Sequence, residues 1–322
     1  MWRTCLKWLA LALGALVLHM NAHAQWPEKP MRMLVAFAPG GLVDTMARTI
    51  QLQLSQNLGQ PIIIENRGGA GGTLAETALA KSAPDGYTLL MAVDSVPANP
   101  HLYKGLTYDT FKDLQPVTML ARVPLVLITH PKVPATNLAE LVKYIRQQDG
   151  KFAYASPGTG TSNHLYMELF KSVSNTDMIH VPYKGGSPAM NDLIGGQVDA
   201  MLISVTLAMP QIKAGKVQAI AVTSDKRLPS LPQVSTFTEA GYADFTPHTW
   251  GGLFAPAGTP APVLQKLHAE VAKVARTPEV VNRFRDLGAE VVMNSPAEFG
   301  AQLKSSFDKM GELIKSRKIV GE

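Results

Sequence analysis

The sequence predicts a two-lobe α/β protein. Short apolar segments alternate with amphipathic ones along most of the chain. The alternation changes texture twice, near residues 122–131 and 245–250, where the chain would cross between two units and return. Glycine-rich turns follow strand-like segments in both units. A length of 322 residues has room for two ordinary domains with ample core.

Each element has a local reason. Residues 31–36 (MRMLVA) read as a buried strand, short and apolar. Gly40-Gly41 follow, and Asp44 can cap a helix whose apolar face is Val43, Ala47, Ile50, Leu54 and Leu58. Residues 61–65 (PIIIE) form a second strand, the glycines of 68–72 open a structural helix start, and residues 88–93 form a third strand. This order favours a parallel sheet covered on both faces. Residues 117–121 and 125–130 are two strand candidates separated by Arg122-Val123-Pro124. Asn137 and Glu140 form a capping box for a helix ending near Gln148. Residues 152–155 are a strand, 156–160 a loop and 161–173 a helix. Lys184-Gly185-Gly186-Ser187 leads into another helix, followed by strands at 200–204 and 217–223. An irregular stretch at 225–244 precedes a strand at 250–255. The final helix carries Ser295 as cap, Pro296 in its first turn and Glu298 completing the box. One lobe would hold residues 25–125 with 248–322, the other 126–247.

Charge and hydropathy place the chain outside the cytoplasm. Arg3 and Lys7 precede an apolar run, residues 8–18, and Ala22-His23-Ala24 places small residues at −3 and −1 of a cleavage point. The run is too short to span a bilayer comfortably. A secretory signal over residues 1–24, cut after Ala24, leaves 298 of the 322 residues. It carries Arg3 and Lys7 and no acid, so its removal takes the formal charge from +5 to +3. Cys5, the single cysteine, leaves with it, which excludes disulfides and cysteine-based zinc sites. A charge of +3 gives no support to nucleic-acid binding.

The chemistry sits in two turns at the carboxyl ends of strands. One is Phe37, Ala38, Pro39, Gly40 and Gly41. The other runs from Ser156 through Pro157, Gly158, Thr159, Gly160, Thr161 and Ser162 to Asn163. Glycines let backbone N–H groups converge on a ligand, helix starts add partial positive potential, and the hydroxyls add neutral donors. That combination suits a carboxylate without a cationic side chain. No dinucleotide or Walker-type glycine motif and no G-x-S-x-G elbow is present. The histidines form no H-x-x-x-H pair, so the sequence supports neither a metal nor a cofactor. An exported hydrolase of small esters, using Ser156 or Ser162 with His164, is the enzymatic alternative. His164 also reads as a hydrogen-bonded structural histidine.

Six segments share an order that resembles one family. They are 36–48 (AFAPGGLVDTMAR), 59–72 (GQPIIIENRGGAGG), 83–90 (APDGYTLL), 154–165 (YASPGTGTSNHL), 180–199 (HVPYKGGSPAMNDLIGGQVD) and 253–260 (LFAPAGTP). Together they are similar to the periplasmic receptors of tripartite tricarboxylate transporters, often called Bug receptors. The resemblance implies a type II periplasmic-binding-protein fold, two α/β lobes with a hinge of two crossovers, and no enzymatic activity. It also implies ligand contacts at the two turns, extended to Asp44, Ser95, Gly185 and Ser204. The implied partners are a small carboxylate and a large and a small integral membrane subunit, with the receptor a monomer. A receptor reporting to a signalling partner fits the same residues. Three departures from the family pattern, Leu42-Val43, residues 93–98 (VDSVPA) and Ile203-Ser204-Val205-Thr206, remove polar groups and add apolar ones. They predict a ligand with an apolar body, an aromatic acid or medium-chain dicarboxylate rather than an amino acid or citrate.

Overall fold

A computed structural model describes residues 26–243 and 245–319. The expected signal peptide, its cleavage point and Cys5 lie outside these residues. The chain opens with β1 (Met31–Val35), α1 (Leu42–Leu58), β2 (Ile62–Asn66), a 3-10 turn at Ala70–Gly72, α2 (Thr73–Ala80) and β3 (Thr88–Val93). β1 pairs in parallel with β2 on one side and β3 on the other. All six residues of β3 are buried, as a strand covered on both faces requires. α1 sets Val43, Met46, Ala47, Ile50, Leu54 and Leu58 inward at helical spacing and ends on Gly59 at φ 70°.

Two short helices, α3 (Asn99–Leu102) and α4 (Thr110–Asp113), lead into β4 (Leu114–Thr129). Here the structure departs from the expected pair of strands, because β4 runs unbroken for 16 residues through Pro116 and Pro124. Proline lacks the N–H that a ladder uses, so it survives only where pairing shifts or ends. The register shifts between Pro116 and Thr118, and Pro124 is the last residue paired to the neighbouring strand of the first sheet. From Leu125 onward β4 pairs instead in a second sheet. The prolines mark the changeover between sheets rather than a break.

The second sheet follows with α5 (Leu138–Arg146), β5 (Ala153–Ser156), α6 (Ser162–Ser174), β6 (Ile179–Pro182), α7 (Gly186–Ile194), β7 (Ala200–Ser204), α8 (Val205–Lys213) and β8 (Gln218–Val222). β5 pairs in parallel with β6 and β7, while β7 and β8 run antiparallel to β4. The stretch after residue 225 is pinned by Phe237 and Phe245, which pack with Phe170 in one aromatic cluster. The chain then returns through β9 (His248–Pro256), antiparallel to both β3 and β4. It ends with α9 (Ala261–Ala275), α10 (Pro278–Asp286), β10 (Glu290–Val291) and α11 (Pro296–Ser316). The capping box of Ser295 and Glu298 forms as its spacing predicts.

The strand path is β2-β1-β3-β9-β4-β7-β5-β6, so the sheets are mixed rather than purely parallel. The parallel βαβ segments are as expected. β4 runs from the first sheet into the second, whereas β9 pairs with β3 and β4 within the first sheet. One buried apolar cluster runs from the first sheet through α7 and α8, and a second fills the far face of the second sheet. Among the described residues, no helix is long and apolar enough to cross a membrane.

Candidate ligand-binding site

The first turn forms where β1 leaves the sheet. Phe37 is buried and its carbonyl accepts from Asn66 Nδ2 at 3.0 Å. Gly40 takes φ 75°, and Gly41 is the residue before α1, its N–H donating to the Ala38 carbonyl at 3.3 Å. Asp44 does not cap the helix, and its carboxylate is fully engaged inside the protein. Oδ2 accepts from the Gly40 amide at 2.8 Å and Arg48 Nε at 2.9 Å, and Oδ1 accepts from Asn66 Nδ2 at 2.9 Å. Burial pushes its carboxyl up, but these bonds outweigh burial and hold it below the usual range. Asp44 therefore braces the turn.

The second turn is braced from behind by histidines. Ser156 Oγ contacts His180 Nε2 at 2.7 Å, and the Gly160 N–H donates to His164 Nδ1 at 3.2 Å. The two imidazoles stack with centroids 3.8 Å apart and planes 9° apart. Burial depresses His164 to about 4 and His180 to about 3, so both are neutral near pH 7. Thr161 Oγ1 donates to the Gly158 carbonyl at 2.7 Å, and Asn163 Nδ2 to the Leu202 carbonyl at 2.9 Å. His164 is thus a structural acceptor rather than the partner of a serine. The contact that does join serine and histidine, Ser156 with His180, belongs to a fully buried hydroxyl.

Between the turns lies one pocket. Phe37, Leu42, Val43, Val93, Pro157, Ile203 and Leu207 supply apolar lining, and Gly41, Thr161, Asn163, Gly186, Ser204 and Thr249 the rest. The first turns of four helices open on it: α1 at Gly41 to Val43, α6 at Thr161 and Asn163, α7 at Gly186, and α8 at Ser204. Each helix start carries unsatisfied N–H groups and a partial positive potential. No acidic or basic side chain is among the lining residues. The buried hydroxyl of Ser204 has no protein partner. The arrangement is an apolar-walled, anion-seeking pocket without a cationic side chain. Among the described residues, no cluster of His, Cys, Asp or Glu could hold a metal ion.

Glycines close the rim. A side chain on Gly185 would start 3.1 Å from the Cβ of Ala38, and one on Gly68 would start 3.0 Å from the Lys184 carbonyl. Gly71 lies equally tight against the Thr159 carbonyl, at 3.0 Å from its own missing Cβ. The turns of the two sheets therefore meet backbone to backbone. The glycine run at 68–72, expected as a helix start, also serves this close approach. Behind it, Glu76 is fully buried, accepting from Asn99 Nδ2 at 2.8 Å and from the Tyr108 hydroxyl. Burial raises Glu76 to about 7 against these bonds, which lower it.

Of the residues expected at the site, Phe37, Gly41, Thr161, Asn163 and Ser204 line the pocket. Ala38 and Gly185 form the rim, and Pro39 and Gly40 are exposed. Ser156, Thr159 and Gly160 shape the second turn, and the buried Ser95 hydroxyl lies toward Gly72. Leu42, Val43, Val93 and Ile203, read from sequence only as apolar departures, are lining residues. Pro157 lay within the expected second turn, whereas Gly186, Leu207 and Thr249 had no signal that set them apart. Asp94 was also missed. It is 2% exposed, and the Ser162 amide and hydroxyl and the Thr249 hydroxyl face it without closing a well-formed hydrogen bond. Burial raises its carboxyl to about 6.

Comparison with known proteins agrees with this picture. Residues 46–319 match the model of the tripartite tricarboxylate transporter family receptor. Protein BugT of Bordetella pertussis (strain Tohama I) is 37% identical over 273 residues, covering 84% of each chain. The solved structure of R. palustris Rpa4515 with adipate is 32% identical with a TM-score of 0.88, over 92% of this chain and 99% of that one. MatC (Rpa3494) from Rhodopseudomonas palustris with bound malate is 35% identical with a TM-score of 0.85, over 90% of this chain and 100% of that one. The chain belongs to the tripartite tricarboxylate transporter receptor family and is a solute-binding receptor with the type II periplasmic-binding-protein fold.

Proposed function

We propose that the chain captures a small carboxylate between two lobes and delivers it to a tripartite tricarboxylate-type membrane transporter. The observation that carries this reading is the convergence of four helix starts on one pocket that has apolar walls and no charged lining residue. The carboxyl group sits at the first-turn amides of α1 beyond Gly41, with the Ser204 hydroxyl, which has no protein partner, as a donor and Thr161 beside it. Leu42, Val43, Val93, Ile203 and Leu207 receive an apolar body. Citrate or an amino acid carries further polar groups that these walls leave unpaired.

The lobes in this reading are residues 25–125 with 248–322, and residues 126–247. They hinge where β4 passes from the first sheet to the second and where the chain returns ahead of β9, and ligand contacts on both turns favour the closed state. The receptor works as a monomer outside the cytoplasm after cleavage behind Ala24, with a large and a small membrane subunit as partners. The family match and the relatives with adipate and malate support this reading.

A thermal-shift screen of hexanoate, benzoate, adipate, malate, citrate and glutamate tests it, followed by calorimetry on the acids that stabilise. Stabilisation by an apolar acid is expected. Stabilisation by citrate or glutamate alone overturns the ligand preference, and none by any carboxylate overturns the function.

A further inference from the structure

We propose that Asp94 supplies the negative charge for the α6 helix start from the protein itself, so that this receptor selects a ligand with one carboxylate and an uncharged apolar remainder. The inference rests on the carboxylate reading above and narrows it. Asp94 follows directly on β3, whose last residue, Val93, lines the pocket. Its carboxyl is buried and reaches across from the first sheet to the opposite one. There it faces the amide and hydroxyl of Ser162, the first residue of the 13-residue α6, and the hydroxyl of Thr249 on β9. An anion at a helix start is held by the unsatisfied N–H groups and the aligned peptide dipoles. At α6 that position is taken by a side chain of the chain's own first sheet.

What remains for the ligand is unequal at its two ends. The α1 start at Gly41 to Val43 still opens on the pocket and suits a carboxylate. The buried Ser204 hydroxyl, with no protein partner, offers it a donor. Toward Asp94 a second carboxylate would meet a like charge, with no lysine or arginine among the lining residues to offset it. Burial, with the Asp94 charge adding to it, pushes the phenol of Tyr166, on α6, up to about 12, so it stays neutral and does not offset the Asp94 charge.

Hexanoate and adipate, six-carbon acids that differ by one carboxylate, decide the matter. Calorimetry at pH 8 on the wild type, Asp94→Asn and Asp94→Ser reads the ratio of their affinities. The wild type is expected to bind hexanoate roughly tenfold or more tighter than adipate, the effect of a like charge at close range. Both variants are expected to bring the two acids within about threefold, chiefly by a gain for adipate. The second variant covers the case in which the isosteric amide disturbs folding. A wild type that prefers adipate, or a ratio unchanged in both variants, overturns the inference while leaving the carboxylate pocket standing. Absence of binding by both acids to all three proteins overturns this inference, and the pocket reading falls with it when no other carboxylate stabilises the protein.

Discussion

Glu76 is buried with only an amide and a phenol donating to it, and its pKa rises from 4.5 to about 7. An acid raised by folding adds stability that is complete below about pH 4.5 and lost as the pH climbs through 7. Glu76→Gln keeps the shape and removes the charge. It should therefore melt higher than the wild type at pH 8, by up to about 3 kcal/mol of stability, and lose this advantage at pH 4.5. Equal melting curves at both pH values would contradict the argument. Within the pocket, Gly41→Asp places a like charge and bulk where the carboxylate is expected, and calorimetric binding should vanish. Thr161→Ala removes one hydroxyl that also holds the Gly158 carbonyl, and should weaken binding by only about fivefold, near 1 kcal/mol. At this scale the sequence pointed to Phe37, Gly41, Thr161, Asn163 and Ser204 because glycine and hydroxyl residues stood at helix starts. Asp94 escaped because nothing local distinguishes a buried acid from an exposed turn acid.

The turn at 156–163 owes its shape to β6, because His180 bonds Ser156 and stacks on His164. Both rings have depressed pKa values, about 3 and about 4, with burial the main cause. A base depressed by folding adds stability that is complete above about pH 6.5 and lost as the pH falls toward 4. Melting temperature in the wild type should therefore drop between pH 6.5 and 4, and His180→Asn should flatten that acid limb. An unchanged limb in the variant would place the acid loss elsewhere. β4 shows the reverse relation between sequence and element. Its prolines read as interruptions, yet the strand continues because each proline falls where pairing shifts or changes partner. Strand pairing is non-local, so the sequence of β4 alone does not reveal which neighbour would have used the missing N–H.

Across the whole molecule, the two sheets meet through glycines, and Gly185 at φ 143° lies against Ala38. Gly185→Val should hold the lobes apart. Ligand affinity is expected to fall by roughly tenfold or more, since the binding-competent closed state becomes scarce. Small-angle scattering checks the cause, with a compaction on ligand addition in the wild type and none in the variant. Compaction in both would show that this contact does not control closure.

By itself the sequence determined the α/β class, the order of most elements, the two glycine-rich turns and the family motifs. These rest on local chemistry: periodic burial, caps, and glycine where backbone must turn or approach. Only the tertiary structure decided that four helix starts share one pocket, that Asp44 is spent on bracing, and that Asp94 faces the start of α6. Each of these joins residues far apart in the chain, and their meeting depends on how β4 carries the first sheet into the second.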